Sequence, residues 1–471
     1  MSIHMRAATR TTLALLASIL ATGCTVGPNY KRPPTSVPAS FRGQATPQAS
    51  SGTPPVSLAD EEWSQVFEDD VLQELIRTAL EHNDDMQIAA ARILEAQAQL
   101  GVTRADQFPS ASAGLDVLGE RPSVALGFPA QNIGALEVQG SVAWEIDFWG
   151  QFRRGNEAAR AQLLASAWGR RAVAATLVSE VAGAYYGLRT LDLELDISKR
   201  TLTSRQESLR LTQLRERGGV TSLIDVRQAE QLVYGAAAEI VTLERQIEQQ
   251  ENFLSVLLGS SPGPIARGRA IADQTHLPDV PAGLPSTVIE RRPDIQQAEQ
   301  QLVAANAQIG VAKSAYFPQI GLTGSGGFES TALAALFTGT NLIWTAAASA
   351  TQPVFTAGRI RSQVALATAR RDEAIIAYRK TIRQAFREVA DGLVGYRRLW
   401  EFRDQQTLLF VAAQDARRLA EIRYQGGATG YLEVLDADTR LFDAELGLAQ
   451  AQLGVSAAFV EVYRALGGGW Q

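Results

Sequence analysis

The chain has 471 residues, 46% hydrophobic and 20% charged, with a formal net charge of -6, which is the composition of a folded chain. Mild acidity without basic runs excludes a nucleic-acid partner. One cysteine and three histidines rule out an internal disulfide and a Cys-based metal site and leave poor material for a triad. No metal, catalytic centre or diffusible cofactor is therefore expected, and no enzyme activity.

Residues 1–23 carry Arg6 and Arg10 and then an apolar run from Leu13 to Ala21. This is a signal-peptide pattern, too short to span a bilayer. It ends Ala21-Thr22-Gly23-Cys24. Either this is an ordinary cleavage site followed by a chance cysteine, or it is a lipobox that makes Cys24 a lipidated mature N-terminus; the second reading gives Cys24 a covalent lipid. Thr25 follows where an inner-membrane lipoprotein usually has aspartate, which favours outer-membrane lipid. From Val26 to about Pro55 the chain is rich in Pro, Ser, Thr and Gln and reads as an extended tether. No later run resembles a transmembrane helix.

The rest reads as one unit used twice, at an offset of about 208 or 209 residues. Gln99-Leu100-Gly101-Val102 recurs as Gln308-Ile309-Gly310-Val311, Phe108-Pro109 as Phe317-Pro318, and Leu258-Gly259 as Leu466-Gly467. Each unit predicts an Ala/Gln-rich helix (70–105; 286–315) ended by Phe-Pro. Two strands follow (110–118 with 135–147; 319–327 with 342–354). A very long helix (152–217; 359–425), a glycine tip and a return helix (222–258; 431–466) complete it. The assigned organisation is 1–23 signal peptide, 24–69 tether and equatorial segment, 70–259 first repeat, 260–285 linker, 286–467 second repeat and 468–471 tail.

Some 65 helical residues at ~1.5 Å each reach roughly 100 Å and require coiled-coil packing. Leu188, Leu195, Leu202 and Leu209 keep a seven-residue spacing, as do Leu441, Leu448, Val455 and Val462. In the strand near 136–148, Leu136, Val138, Val142, Trp144, Ile146 and Phe148 alternate with Glu137, Gln139, Ser141, Glu145 and Asp147. That pattern suits a membrane β-strand or a soluble hairpin on a core, and Trp144, Phe148 and Trp149 would suit an aromatic girdle. Four strands cannot close a barrel, so spanning strands require several chains.

At the tips, Arg215, Gly218-Gly219, Thr221, Asp225-Val226 and Ala229 match Arg423, Gly426-Gly427, Thr429, Glu433-Val434 and Ala437. The glycine pairs read as helix C-caps, with Thr429 or Gly430 starting the next helix. Glu433 and Asp436, three apart, share a face, and Gln228 stands where the second copy has Asp436.

Three stretches together resemble one family. They are Cys24-Thr-Val-Gly27-Pro28-Asn-Tyr30-Lys-Arg-Pro33, Arg291-Arg292-Pro293-Asp294-Ile295 with its downstream Phe317-Pro318, and Ala465-Leu466-Gly467-Gly468-Gly469-Trp470. The chain resembles the outer-membrane factors of tripartite efflux systems, of the TolC/OprM type, in their lipoprotein branch. The resemblance implies a mainly α fold with β: a homotrimer whose chains give four strands each to one twelve-stranded outer-membrane barrel. A coiled-coil α-barrel would continue it into the periplasm. It implies a periplasmic adaptor and an inner-membrane pump of the RND type as partners. Carried over residue by residue, Tyr424, Glu433, Asp436 and Asp225 match the periplasmic gate, with Asp225 linked to the tyrosine. Thr429 stands where TolC-like proteins have a gate arginine, which leaves the ionic latch open. Gly218, Gly219, Val220, Thr221, Gly426, Gly427, Ala428 and Thr429 match the tips that meet the adaptor. Trp63, Trp400 and Trp470 are expected to pack, and Arg291-Arg292 to form a structural charge pair. The implied function is a passive exit duct for small molecules; type I protein secretion and a periplasmic coiled-coil scaffold are the other readings.

Overall fold

In a computed structural model the described residues are 25–42, 57–121, 133–274 and 280–470. The signal-peptide assignment and the lipidation assignment at Cys24 lie outside them. They fall into two compact units. One is drawn from the described residues within Met1–Pro34, Arg92–Ala167 and Gln297–Tyr378, the other from those within Thr35–Ala91, Trp168–Gln296 and Arg379–Gln471.

The elements follow the expected order: α1 (Asp70–His82), α2 (Asp84–Ala105), β1 (Ser110–Glu120), β2 (Ile133–Ile146), α3 (Gln151–Arg217), α4 (Leu223–Leu257), α5 (Pro285–Arg291), α6 (Pro293–Ser314), β3 (Gln319–Ser330), β4 (Leu342–Thr351), α7 (Arg359–Gln425) and α8 (Tyr431–Ala465). The three longest helices of each repeat have equal lengths: 67 residues in α3 and α7, 35 in α4 and α8, 22 in α2 and α6. That equality is what a duplicated unit requires.

The single helix expected at the head of each repeat is two helices. Asn83 ends α1 and its Oδ1 accepts from the Asp85 and Met86 amides at 2.9 and 3.2 Å, so its side chain satisfies the amides that open α2. In the second repeat Pro293 opens α6, where its missing N–H costs nothing. Arg292, at the break, is buried. It donates to Asp294 and Glu388 at 2.7 Å each and to the Ala465 carbonyl at 3.1 Å, the structural role expected for it. Burial works against ionisation of Glu388, but Arg292, with Gln384 and Arg464, outweighs it and holds the carboxyl below its ordinary range.

In the first unit the strands form one antiparallel sheet in the order β1-β2-β3-β4. The registers put Leu115 beside Val138, Val138 beside Phe328 and Phe328 beside Leu342. Side chains alternate along a strand, so one face takes the odd residues of 111–117 and the even residues of 136–146, 320–328 and 342–350. Every one of them is apolar or glycine. The opposite face carries Ser112, Asp116, Glu137, Gln139, Glu145, Thr323 and Ser325. The apolar face is bare: Leu115, Val117 and Trp344 are 65%, 73% and 75% exposed.

Trp149 does not join that face. It stacks on Phe317 with centroids 4.6 Å apart and donates to the Pro318 carbonyl at 2.8 Å, while Phe148 meets it edge-on at 4.8 Å. The girdle expected of both is thus a packed cluster at the sheet's root. Residues 25–34 are not a loose tether either. Val26 donates to the Trp149 carbonyl at 3.0 Å, and Arg32 grips both oxygens of Glu299 at 2.7 Å. Tyr30 adds a 3.0 Å bond to the same carboxylate. The close approach depends on two glycines, for a Cβ on Gly27 would lie 2.5 Å from the Gly310 Cα.

The second unit holds the helical hairpins. Leu188, Val455 and Val462 of the heptads are buried, and so is Leu254 on α4. Trp470 packs edge-on against Trp168, centroids 5.9 Å apart, with Arg171 over both rings.

Candidate functional site: the two hairpin tips

Both tips close the same way. Val220 donates to the Arg215 carbonyl and Gly219 to that of Glu216, each at 2.9 Å. Ala428 donates to Arg423 at 2.9 Å and Gly427 to Tyr424 at 3.1 Å. This is the two-bond C-terminal cap that needs a left-handed residue at its centre. Gly219 and Gly427 supply it, with φ of 70° and 72°. Gly218 and Gly426 have ordinary φ, so only the second glycine of each pair is needed by the backbone.

Past the cap the copies diverge. In the first, Ser222 is the N-cap of α4: it accepts from the Ile224 amide at 3.3 Å, and Asp225 accepts from the Ser222 amide at 3.2 Å. The Thr221 hydroxyl also donates to Asp225. In the second, Gly430 is the N-cap and offers no side chain; the Thr429 hydroxyl donates to Glu433. The start expected at Thr429 or Gly430 is therefore at Gly430.

The structure does not bring Asp225 to Tyr424. The carboxylate is spent on its own cap, and the Tyr424 hydroxyl is buried with no hydrogen-bond partner. The Tyr424 ring lies 5.3 Å from that of Tyr431, and the Arg215 guanidinium sits over it at 4.4 Å. Together with Ala229, Ala420, Val434, Leu435 and Ala437 the tyrosines form the apolar centre of the tip. Burial raises the Tyr431 phenol above its usual range, although Thr212 and Ser208 hydrogen-bond to it and pull the other way.

Glu433 and Asp436 do share a face and border one groove with Ala413, Ala416 and Ala420. Each has its own arginine: Arg423 lies 3.3 Å from Glu433, and Arg440 lies 2.7 Å from Asp436. Sequence reasoning matched Arg423 across the copies but gave it no role, and it missed Arg440. Its position four residues after Asp436 was the available signal. It also missed Arg205, which is buried, and Asp438, which is partly so, paired at 2.8 Å with Arg417 at 3.6 Å from the same carboxylate. This pair ties α3 of the first repeat to α8 of the second, and no local spacing announces it. Val220, Leu223 and Ile224 at the first tip are 69%, 55% and 61% exposed, as is Leu432 at the second, by 66%.

Among the described residues there is no group of acidic, histidine or cysteine side chains fit to hold a metal, and no helix long and apolar enough to cross a membrane. A model of the outer membrane efflux protein family matches residues 75–260 and again 284–468. Curated relatives in Pseudomonas putida include the antibiotic efflux pump outer membrane protein ArpC and the toluene efflux pump outer membrane protein TtgC. Each is 37% identical over 465 residues, covering 97% of this chain and 95% of the relative. Among solved structures, the open state of the Neisseria gonorrhoeae MtrE outer membrane channel superposes with a TM-score of 0.85 at 30% identity, over 95% of this chain and 99% of that one.

Proposed function

The chain belongs to the outer membrane efflux protein family, and from that premise we propose that it is the trimeric exit duct of a tripartite efflux pump, passing cargo without catalysis. The bare apolar face of the sheet carries the reading. A four-stranded sheet that hides its polar side chains on one face suits lipid outside and water inside. Edges β1 and β4 each pair on one side only, and unpaired strand edges are not tolerated in hydrocarbon, so neighbouring copies would complete the barrel.

A periplasmic adaptor would meet the exposed apolar residues Val220, Leu223 and Ile224, and the glycine tips, with an RND-type inner-membrane pump behind it. Cys24 would be lipidated. Thr25 abuts the Gly150 position at the root of the sheet, its Cγ2 2.8 Å from where a Cβ on that glycine would sit. Relatives named for antibiotics and for toluene support small organic cargo.

At the gate, Glu433 and Asp436 from three chains would ring the constriction and select by charge, with Arg423 and Arg440 in place of the latch arginine that Thr429 replaces. The test is single-channel conductance of the purified trimer in a planar bilayer. The unmodified protein should conduct weakly, and Asp436→Asn combined with Arg440→Ala should raise the conductance. A protein that never inserts overturns the duct; unchanged conductance in the variant overturns the gate alone.

A further inference from the structure

We propose that the β3–β4 connection, residues 331–341, is a folded membrane anchor that seats Leu333 and Phe337 among the acyl chains of the leaflet away from the helices. The inference rests on the sheet being the membrane-spanning element. All four strand ends that join helices, at 110, 146, 319 and 351, lie at one end of the sheet; this connection lies at the other.

The connection is a built structure. Two single 3-10 turns, Leu333–Ala335 and Gly339–Asn341, shape it. The Asn341 side-chain Nδ2 donates to the Ala335 carbonyl at 2.7 Å and to Thr338 Oγ1 at 3.1 Å. Thr338 Oγ1 donates to the same carbonyl at 2.8 Å, and Ser330 Oγ accepts from the Ala332 amide at 3.2 Å. Leu336 is folded inside, 1% exposed. The backbone N–H groups of Ala335, Leu336, Thr338 and Asn341 also bond back to the carbonyls of Ala332, Leu333, Ala335 and Thr338, and internal pairing of this kind is what a segment bordering hydrocarbon needs.

Its outward side chains are apolar nonetheless. Leu333 is 70% exposed and Phe337 69%. The Phe337 ring stands edge-on to Phe328, centroids 5.5 Å apart, and Phe328 sits on the apolar face between Val138 and Leu342. Phe337 therefore continues the lipid-facing surface past the strand ends. Trp344, on that face near the same end, is placed as an interfacial aromatic would be. No charged residue occurs between Glu329 and Arg359, so nothing in the connection opposes insertion. A lid over the exit would turn these side chains to water and break that continuity.

The test is electron paramagnetic resonance of nitroxide labels in proteoliposomes, read on the heat-modifiable trimer. Labels go on Leu333→Cys, Phe337→Cys, Thr340→Cys and Leu115→Cys, and the unmutated chain treated in parallel reports any signal from Cys24. The expected result is an oxygen-to-nickel-chelate accessibility ratio roughly threefold higher at 333 and 337 than at 340, as for side chains anchored in the acyl region. Ratios at 333 and 337 equal to that at 340, with 115 still favouring oxygen, overturn the anchor and leave the spanning strands intact. A low ratio at 115 as well overturns both. Should Phe337→Cys fail to assemble, Leu333→Cys carries the same reading.

Discussion

The two hairpin tips share a backbone and differ in how they are fastened. The first is sealed within itself: Ser222 and Asp225 cap α4 reciprocally, and Thr221 joins the same carboxylate. The second has a bare Gly430 cap: Thr429 joins Glu433 as Thr221 joins Asp225, and ion pairs are added, Arg423 to Glu433 across the tip, Arg205 of α3 to Asp438, and Arg440 to Asp436 within α8. Duplication kept the part that only geometry can supply, a left-handed glycine, and released the part that chemistry can vary. A tip fastened by ion pairs, which water and neighbouring charges can replace, is the better candidate for a moving gate. A tip fastened by its own cap is the better candidate for a fixed contact.

The sharpest way to break this contrast is to cut the cross-repeat pair. Arg205→Ala takes a charged hydrogen bond from the partly buried Asp438, leaving it with Arg417 alone, and should cost about 2 to 3 kcal/mol, read as lost hydrogen-exchange protection over α8 near the tip. The equivalent first-copy acid, Glu230, pairs with exposed Arg227 one turn back on the same helix, and Arg227→Ala should change nothing measurable. Next come Gly219→Ala and Gly427→Ala. Each forces alanine into the left-handed region at about 1 to 2 kcal/mol, equally in both copies, whereas Gly218→Ala and Gly426→Ala should be near neutral in denaturant titrations. Unequal costs would mean that the shared backbone is not the common element. A smaller effect separates the caps: Ser222→Ala should lose about 1 kcal/mol, while Gly430→Ser should gain about 0.3 kcal/mol, both measurable by exchange at the tips.

The subtlest effect depends on pH. Glu194 of α3 is buried, with the Gln450 amide of α8 donating to it and Glu239 nearby. Burial raises its carboxyl above the ordinary range; the Gln450 bond pulls against that and Glu239 adds to it. The folded state thus holds the proton where the unfolded chain has lost it. The stability this provides is whole below the unfolded carboxyl range and is lost as pH rises through the folded value. Glu194→Gln should therefore melt higher than the unmodified protein at neutral pH and level with it in acid.

Much of this was legible in the sequence. The 208-residue echo, the long proline-free helices and the alternation in 136–146 each follow from a local period or spacing, and the observed elements lie within a few residues of those expected. Pro293 marks the break in the second repeat, and the helix expected over 286–315 runs across it. The rest turns on encounters that spacing cannot show. Asp225 matched a gate position, but its nearest hydrogen-bond donors were three and four residues away. Phe148 and Trp149 had the composition of a girdle, but Phe317 and Pro318 claimed them from 169 residues along the chain. The N-terminal segment had a tether's composition and is docked because one glutamate, Glu299, lies where Arg32 and Tyr30 can reach it.

That clamp has a consequence for the order in which the molecule forms. Arg32 and Glu299 are 267 residues apart, and β2 must find β3 across an entire repeat. A chain emerging from its N-terminus can complete neither until the second copy has arrived. The first repeat must wait with its sheet half-built, and pairings of such long sequence separation form slowly. The earliest segment to appear is among the last to be secured.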